Sequence, residues 1–159
     1  PFVLVTSTRE DGVTNAMALS WWCYASNNPP TLLICTSNKG YTGECIRRTK
    51  QFALCFPTEK IRDGAFRCGT CSGRNTDKLA AFGLETEAAS VIDTKLLKYC
   101  KAALECRLVN EIPTGDHTIY VGQIVETHLE ENCDALYALS GYAQLGTVKA
   151  DCGEQSLHE

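Results

Sequence analysis

A polar loop, residues 36–42, carries the side chains best suited to chemistry in this chain. It follows an apolar strand pattern and opens a predicted helix, with the sequence Thr-Ser-Asn-Lys-Gly-Tyr-Thr. Successive N–H groups, hydroxyls and a lysine at a helix N-terminus suit a phosphate group. The loop therefore predicts a phosphate site, and an ordinary capped helix start is the alternative.

A second loop that leads into a predicted helix, residues 72–78, contains a lysine in an unusual position. Asn75 or Thr76 is expected to cap this helix, and Asp77 suits its first turn. Lys78 then lies at the positive end of the helix dipole, where its own positive charge is unfavourable. An anionic ligand within reach of the ammonium group would offset this repulsion. A solvated surface lysine is the alternative.

The segment 15–21, Asn-Ala-Met-Ala-Leu-Ser-Trp, consists mainly of small residues on a predicted strand. A flat aromatic ligand can lie against such a strand, where main-chain N–H and C=O groups are accessible to it. Small residues alone do not specify a ligand. The segment becomes a cofactor-site hypothesis only together with the other segments.

A histidine near the tip of a predicted hairpin, His117, follows Gly115 and Asp116. An imidazole donates, accepts or carries charge near neutral pH, which makes His117 the candidate catalytic group. A surface or capping histidine is the alternative. The other two histidines, His128 and His158, lie in no recognisable pattern.

The chain contains ten cysteines, several of which replace apolar residues inside strand patterns. Cysteines of this kind behave as small buried hydrophobes, which predicts reduced thiols in a cytoplasmic protein. Cys68 and Cys71 have CxxC spacing. A structural zinc site needs about four ligands, and the sequence has no second CxxC or CxxH, so no metal is expected. Two reduced thiols near a helix end are favoured over a redox-active pair.

The composition, the net charge and several missing motifs argue against some classes of protein. The 159 residues include 44% hydrophobic and 21% charged residues, which suits one globular domain. The net charge of −4 and the absence of a basic stripe argue against a nucleic-acid partner. No apolar run approaches the roughly 18 residues of a membrane span. The dinucleotide motif GxGxxG and the nucleophile motif GxSxG are also missing.

Alternation and turn signals predict many short strands with a few small helices and no βαβ rhythm. This pattern favours a mainly β protein, a β-barrel with helical decorations. The domain is expected to cover residues 1–148, followed by a polar C-terminal tail at 149–159. The predicted strands are 2–8, 13–22, 31–36, 51–56, 102–111 and 118–129. The predicted helices are 41–50, 59–66, 75–82 and 134–139.

Taken in order, these segments resemble the flavin reductase-like FMN-binding family, a split β-barrel group. The matching motifs are Asn-Ala-Met at 15–17, Ser-Trp at 20–21, Pro-Pro at 29–30, Tyr-Thr at 41–42, Ser-Gly-Arg at 72–74 with Asp-Lys at 77–78, and Gly-Asp-His-Thr at 115–118. The resemblance covers residues 1–148. The chain departs from the family pattern at Leu79, where phenylalanine is usual, and at Cys68 and Cys71, where apolar residues are common.

The resemblance implies a homodimer with non-covalent FMN near the subunit interface. The flavin would be reduced by NAD(P)H as a transient donor, or by a redox protein partner, and would pass the electrons on. The alternative is a flavoredoxin-like electron-transfer protein without NAD(P)H activity. By position, the family's residues along the isoalloxazine and ribityl chain fall on Asn15, Ala16, Met17, Ala18 and Ser20. Its phosphate residues fall on Thr36, Ser37, Asn38, Lys39 and Thr42, with Lys78 in support. His117 would lie close to the flavin ring.

Overall fold

The computed structural model describes residues 1–148 of the chain. These residues contain eleven strands and three α-helices. The polar tail expected at 149–159 lies outside the described residues. The strands are β1 (Val3–Thr8), β2 (Thr14–Leu19), β3 (Trp22–Asn27), β4 (Pro30–Ser37), β5 (Gln51–Pro57), β6 (Thr86–Glu87), β7 (Leu96–Leu97), β8 (Cys100–Thr114), β9 (His117–Leu129), β10 (Leu136–Ala138) and β11 (Leu145–Thr147). The helices are α1 (Tyr41–Thr49), α2 (Arg62–Arg67), which follows a 3₁₀ turn at Glu59–Ile61, and α3 (Lys78–Phe82).

Seven strands form one antiparallel sheet in the order β2-β1-β5-β8-β9-β4-β3. The predicted mainly β class is confirmed. Leu19 of β2, at one end of this order, and Leu32 of β4, next to the other end, belong to one buried cluster, and Trp22 of the end strand β3 packs against it. The sheet therefore curls toward closure, although β2 and β3 are not paired with each other in the described part of the chain.

Both faces of the central strands are covered, and β1 shows how the sequence achieves this. Val3 and Val5 pack into the cluster inside the curled sheet, whereas Phe2 and Leu4 pack into a second cluster on the opposite face. The side chains of a strand alternate between faces, so a continuous apolar run serves a sheet that is buried on both sides. The second cluster includes residues of α2 and α3, which positions the loop between these helices against the sheet.

Three sequence predictions are wrong in detail. The strand expected at 13–22 is two strands, because the chain leaves β2 after Leu19 and β3 pairs with β4 at the other end of the sheet. The helix expected at 134–139 is the short strand β10, because these residues pair antiparallel with β11 and the Leu136 carbonyl accepts a hydrogen bond from the Phe2 N–H at 2.9 Å. The helix expected at 75–82 begins only at Lys78, because the Asp77 side chain caps it by accepting from the Ala80 N–H.

A fully buried carboxylate, Glu105 on β8, organises the segment before β7. Its oxygens accept the N–H groups of Ser90, Val91 and Ile92 at 2.6–3.0 Å and contact His128 Nε2 at 2.7 Å. Burial raises the pKa of Glu105, but the hydrogen bonds from these backbone groups and His128 outweigh it and hold this pKa below its usual value. The carboxylate is therefore charged at neutral pH.

We expect the contribution of Glu105 to stability to be present at neutral pH and to be lost as the pH falls through its lowered folded-state pKa. A carboxylate with a lowered pKa in the folded state favours folding above its unfolded value of about 4.3, and protonation removes that contribution. Urea unfolding of the wild type and of Glu105→Gln should differ most near neutral pH and converge under acid. A constant difference would contradict this assignment.

Candidate functional site

An open groove of about 450 Å³ lies between the N-terminus of α1, strand β2 and the loop that joins α2 to α3. The three elements come from distant parts of the sequence, and the sheet brings them together. The lining residues are Met17, Ser37, Lys39, Gly40, Tyr41, Thr42, Gly69, Thr70, Cys71, Ser72, Gly73 and Lys78.

The N-terminus of α1 forms one end of the groove, as the 36–42 loop predicted. Gly40 is the N-cap, and no side chain caps the helix there. Main-chain N–H groups of a first helical turn point out of the helix and carry a partial positive charge. Ser37 and Lys39 line the same end, and the exposed Lys39 adds a full charge. This end of the groove suits an anionic group.

Lys78, in the first turn of α3, lines the groove although it is only 4% exposed. Its ammonium donates to the carbonyl of Ala16 at 3.0 Å and to that of Cys68 at 2.7 Å. Burial lowers the pKa of Lys78 from its ordinary value. Two of the three N–H donors are used by these carbonyls, which leaves one for a ligand.

A buried amide, Asn15, stands behind the groove wall. It is 2% exposed, and its Nδ2 donates to Thr42 Oγ1 at 3.0 Å. Its Oδ1 is buried and has no hydrogen-bond partner within the described residues. Gly73 is packed so closely that a Cβ built on it would lie 1.9 Å from Asn15 Oδ1. The wall thus holds Asn15 in place and leaves a buried acceptor without a donor, which is unusual in a folded protein.

A smaller cavity of about 210 Å³ adjoins the groove and shares Gly69 and Thr70 with it. Its other lining residues are Ala18, Phe66 and Tyr142. Tyr142 also packs edge-on against Phe2, with ring centroids 5.9 Å apart. The two cavities together form one elongated site, cationic at the α1 end and aromatic at the other.

The predicted site residues therefore differ in their position relative to the two cavities. Those that line the two cavities are Met17, Ala18, Ser37, Lys39, Thr42 and Lys78. Asn15 touches Thr42 in the groove wall. Those that line neither cavity are Ala16, Ser20, Thr36, Asn38 and His117.

Asn38 has a structural contact instead of an open side chain. Its Nδ2 donates to the Gly115 carbonyl at 3.0 Å and its Oδ1 accepts from Thr118 Oγ1 at 2.7 Å. These bonds tie the loop before α1 to the tip of the β8–β9 hairpin. The hydroxyls of Ser20 and Thr36 are buried and have no hydrogen-bond partner in residues 1–148.

His117 lies on β9 opposite Ser37, outside both cavities of the single chain. Its ring stacks on Trp21 with centroids 4.9 Å apart, and Nδ1 contacts Asp116 Oδ1 at 2.7 Å. The hydrogen bond and the charge of His117 lower the pKa of Asp116. Trp21 is 58% exposed, so this pair lies on an open surface.

The residues that sequence reasoning missed lie in the loop 69–73, which forms a whole wall of the groove. A Cβ on Gly69 would lie 3.1 Å from the Ala18 Cβ, so this loop packs directly on β2. The close approach explains the need for glycine at this position. The spacing of Cys68 and Cys71 drew attention to the loop, but only as a metal or thiol motif.

Within residues 1–148, no group of three or more His, Cys, Asp or Glu side chains is arranged to hold a metal ion. None of the described helices combines the length and the apolar character that crossing a bilayer requires.

Comparison with known proteins shows the family of the chain and its fold. The family model described as "Flavin reductase like domain" matches residues 1–146. An uncharacterised protein of Archaeoglobus fulgidus is 32% identical over 115 residues, which cover 72% of this chain and 65% of that protein. The chain spans 65%, 46% and 59% of the lengths of three curated relatives that it matches. Each share is less than two thirds.

Solved structures show the same architecture. Flavoredoxin of Methanosarcina acetivorans is 26% identical, with a TM-score of 0.87 over 97% of this chain and 87% of that chain. An FMN-binding protein of Thermus thermophilus, with bound p-hydroxybenzaldehyde, is 23% identical, with a TM-score of 0.84 over 97% of this chain and 89% of that chain. The predicted split-barrel fold is confirmed by such neighbours.

Proposed function

The chain belongs to the flavin reductase-like domain family, and on this premise we propose that it is an FMN-binding oxidoreductase. The observation that carries the proposal is the elongated site, with a helix N-terminus and two lysines at one end and an apolar, aromatic cavity at the other. FMN has the same polarity, with a phosphate at one end and a flat ring system at the other. The bound flavin would supply hydride and electron transfer.

Three groups are assigned to the phosphate and ribityl part of FMN. The N–H groups at the start of α1, with Lys39, would hold the phosphate. Lys78 has one N–H left for a phosphate or ribityl oxygen. Asn15 Oδ1, buried and without a donor, fits a ribityl hydroxyl or a ring N–H. Each contact answers a need that residues 1–148 leave unmet.

The ring is assigned to the cavity beside Ala18 and Tyr142. Ala18 has a small side chain on β2, so a flat ring can approach the strand there. Phe66 and Tyr142, 39% and 43% exposed, offer aromatic surfaces on the other side. Because one side of this cavity is open, an electron donor can reach the ring directly without a separate nucleotide-binding domain.

We also propose that the protein is a homodimer, on the basis of an apolar face on β4 and β9. Four apolar side chains of this face alternate with buried residues such as Ile34, so they point away from the core. They are Leu33, Cys35, Ile119 and Val121. The strand pairing brings Leu33 beside Val121 and Cys35 beside Ile119. A contiguous apolar sheet face of this kind is typical of an interface.

A charge on this face is expected to dissociate the dimer. Leu33→Glu would place a carboxylate at the centre of the face, where burial against a second chain is costly. Light scattering after gel filtration should give the mass of two 17.4 kDa chains for the wild type and of one for the variant. Leu129→Glu is the control, because Leu129 is 65% exposed at the far end of β9. A wild type that elutes as a single chain would overturn the proposal.

The proposed electron source is NAD(P)H. We assign His117 the role of orienting this donor, since the Trp21–His117 pair borders the proposed interface. The main-chain N–H of Cys35, a residue of that interface, donates to the Trp21 carbonyl at 2.8 Å. The nine free cysteines of the described chain agree with a reducing compartment such as the cytoplasm. Anaerobic mixing of the FMN-loaded protein with NADH or NADPH tests the donor, and bleaching of the flavin absorbance is the expected result.

A second candidate, an electron carrier without NAD(P)H activity, is favoured by the likeness to flavoredoxin of Methanosarcina acetivorans. The same experiment separates the two. If neither nucleotide bleaches the flavin and a reduced ferredoxin does, the carrier is supported. His117→Ala should slow bleaching by the nucleotide and leave FMN bound, and unchanged kinetics would remove His117 from the reaction.

A further inference from the structure

We propose that Cys68 and Cys71 form a redox-active dithiol that exchanges electrons with the flavin bound in the groove. The inference rests on the proposed function and goes beyond it, because it assigns a second redox centre to the same site. Its basis is the position of the pair relative to the groove, the two cavities and the ammonium of Lys78.

The two cysteines flank a tight turn at the end of α2. The Gly69 N–H donates to the Phe66 carbonyl and the Thr70 N–H to the Arg67 carbonyl, both at 3.0 Å. Cys68 is 1% exposed, whereas Cys71 is half-buried and lines the groove. The pair thus has one sulfur inside the protein and one at the ligand surface.

The turn lies where the two cavities meet. Gly69 and Thr70 line both of them, and Gly69 packs against Ala18 of β2. Under the proposed function this is the junction between the ribityl chain and the flavin ring. Among the nine described free cysteines, only Cys71 lines either cavity.

Lys78 supplies a charge at the right place. Its ammonium donates to the Cys68 carbonyl at 2.7 Å and is itself buried. Burial raises the pKa of the Cys68 thiol to about 11, although the Lys78 charge opposes this. A buried thiol that stays protonated is unreactive at rest. Opening a disulfide releases a thiolate, and the Lys78 ammonium would stabilise that charge until it is protonated.

The proposed reaction transfers two electrons between the cysteine pair and the flavin. In one direction the Cys68–Cys71 S–S bond breaks, and two electrons and two protons convert the two sulfurs to thiols. Reduced FMN provides these electrons and is returned to oxidised FMN, while the protons come from the reduced flavin and from water. The reverse direction makes the S–S bond and reduces the flavin. Disulfides that form in reducing compartments are usually transient and catalytic.

Wild-type protein loaded with FMN allows a direct test. Mild oxidation with diamide, followed by alkylation and peptide mass mapping, should show a Cys68–Cys71 disulfide. Anaerobic photoreduction of the bound flavin should then restore two alkylatable thiols at these positions, and protein freed of FMN should keep the disulfide. The Cys71→Ser variant should lose this thiol recovery, and Cys23→Ser, at an exposed site on β3, should retain it.

Two outcomes would overturn the proposal: diamide treatment that produces no Cys68–Cys71 disulfide, or a disulfide that survives complete reduction of the flavin. Mass mapping of the wild type needs no variant, so a poorly folding Cys71→Ser protein would not obscure the answer. Failure of the proposed function is seen separately, since a protein that takes up no FMN shows it in its absorption spectrum before any oxidation.

Discussion

We expect the Gly73→Ala variant to bind FMN at least about tenfold more weakly than the wild type, a loss of about 1.4 kcal/mol. The added Cβ would lie 1.9 Å from Asn15 Oδ1. Asn15 is 2% exposed, so it has no free space into which it can turn. Its displacement would break the 3.0 Å hydrogen bond to Thr42 and move the proposed FMN contact. Quenching of FMN fluorescence during titration measures the affinity.

A double-mutant cycle checks that the effect passes through Asn15. Asn15→Ala removes the side chain that the new methyl group would meet, so Gly73→Ala should cost little further affinity in that background. Wild-type affinity in Gly73→Ala, or full additivity in the cycle, would contradict the role given to Asn15.

Glu105→Ala is expected to cost about 3–5 kcal/mol of unfolding free energy, the usual cost of removing one member of a buried, hydrogen-bonded charged set. The carboxylate serves the N–H groups of residues 90–92 and His128. Alanine would leave these donors without an acceptor, and unpaired buried donors are expensive. Urea unfolding at neutral pH, followed by circular dichroism, measures the loss.

Glu126→Ala provides the matched control on the adjacent strand. Glu126 is paired with Glu105 across β8 and β9 but its side chain is exposed. Its removal should change the unfolding free energy by no more than about 0.5 kcal/mol. Equal effects of the two substitutions would show that Glu105 does not anchor the segment before β7.

Strong local signals made parts of the fold predictable. Asp11-Gly12 is a residue pair typical of tight hairpin turns, and β1 pairs with β2 around it, with Gly12 at φ +82°. Gly83 follows the predicted helix 75–82 as glycine commonly does at helix ends, and it ends α3 in the left-handed conformation. The long alternating runs on either side of Gly115 predicted the β8–β9 hairpin. In each case the information lies within a few neighbouring residues.

Other elements depend on distant partners and left little trace in the sequence. Residues 23–27 of β3 are all exposed, so no alternation of buried and exposed positions marks this edge strand. Strand β10 has three residues, too few to distinguish a strand from a helix. Its conformation depends on antiparallel pairing with β11 and on the hydrogen bond between Leu136 and Phe2, at the other end of the domain.

The candidate site was predictable on one side only. The α1 end was found because a phosphate site has local chemistry: hydroxyls, a lysine and a helix start. The opposite wall, 69–73, depends on how α2 packs against β2, which one sequence does not reveal. Asn38 and His117 were assigned to the ligand, but they make contacts at the hairpin tip in the single chain. In the proposed homodimer, a second subunit would bring a ligand or donor to these two side chains.

The central claim is that the elongated site binds FMN, and the visible absorption spectrum of the protein tests it most directly. After incubation with FMN and removal of the excess, absorption bands at about 370 and 450 nm should remain with the protein, because oxidised flavin itself absorbs there. Heat release should then yield FMN at about one per chain. A protein that stays colourless, and binds no added FMN at micromolar concentration, would contradict the account.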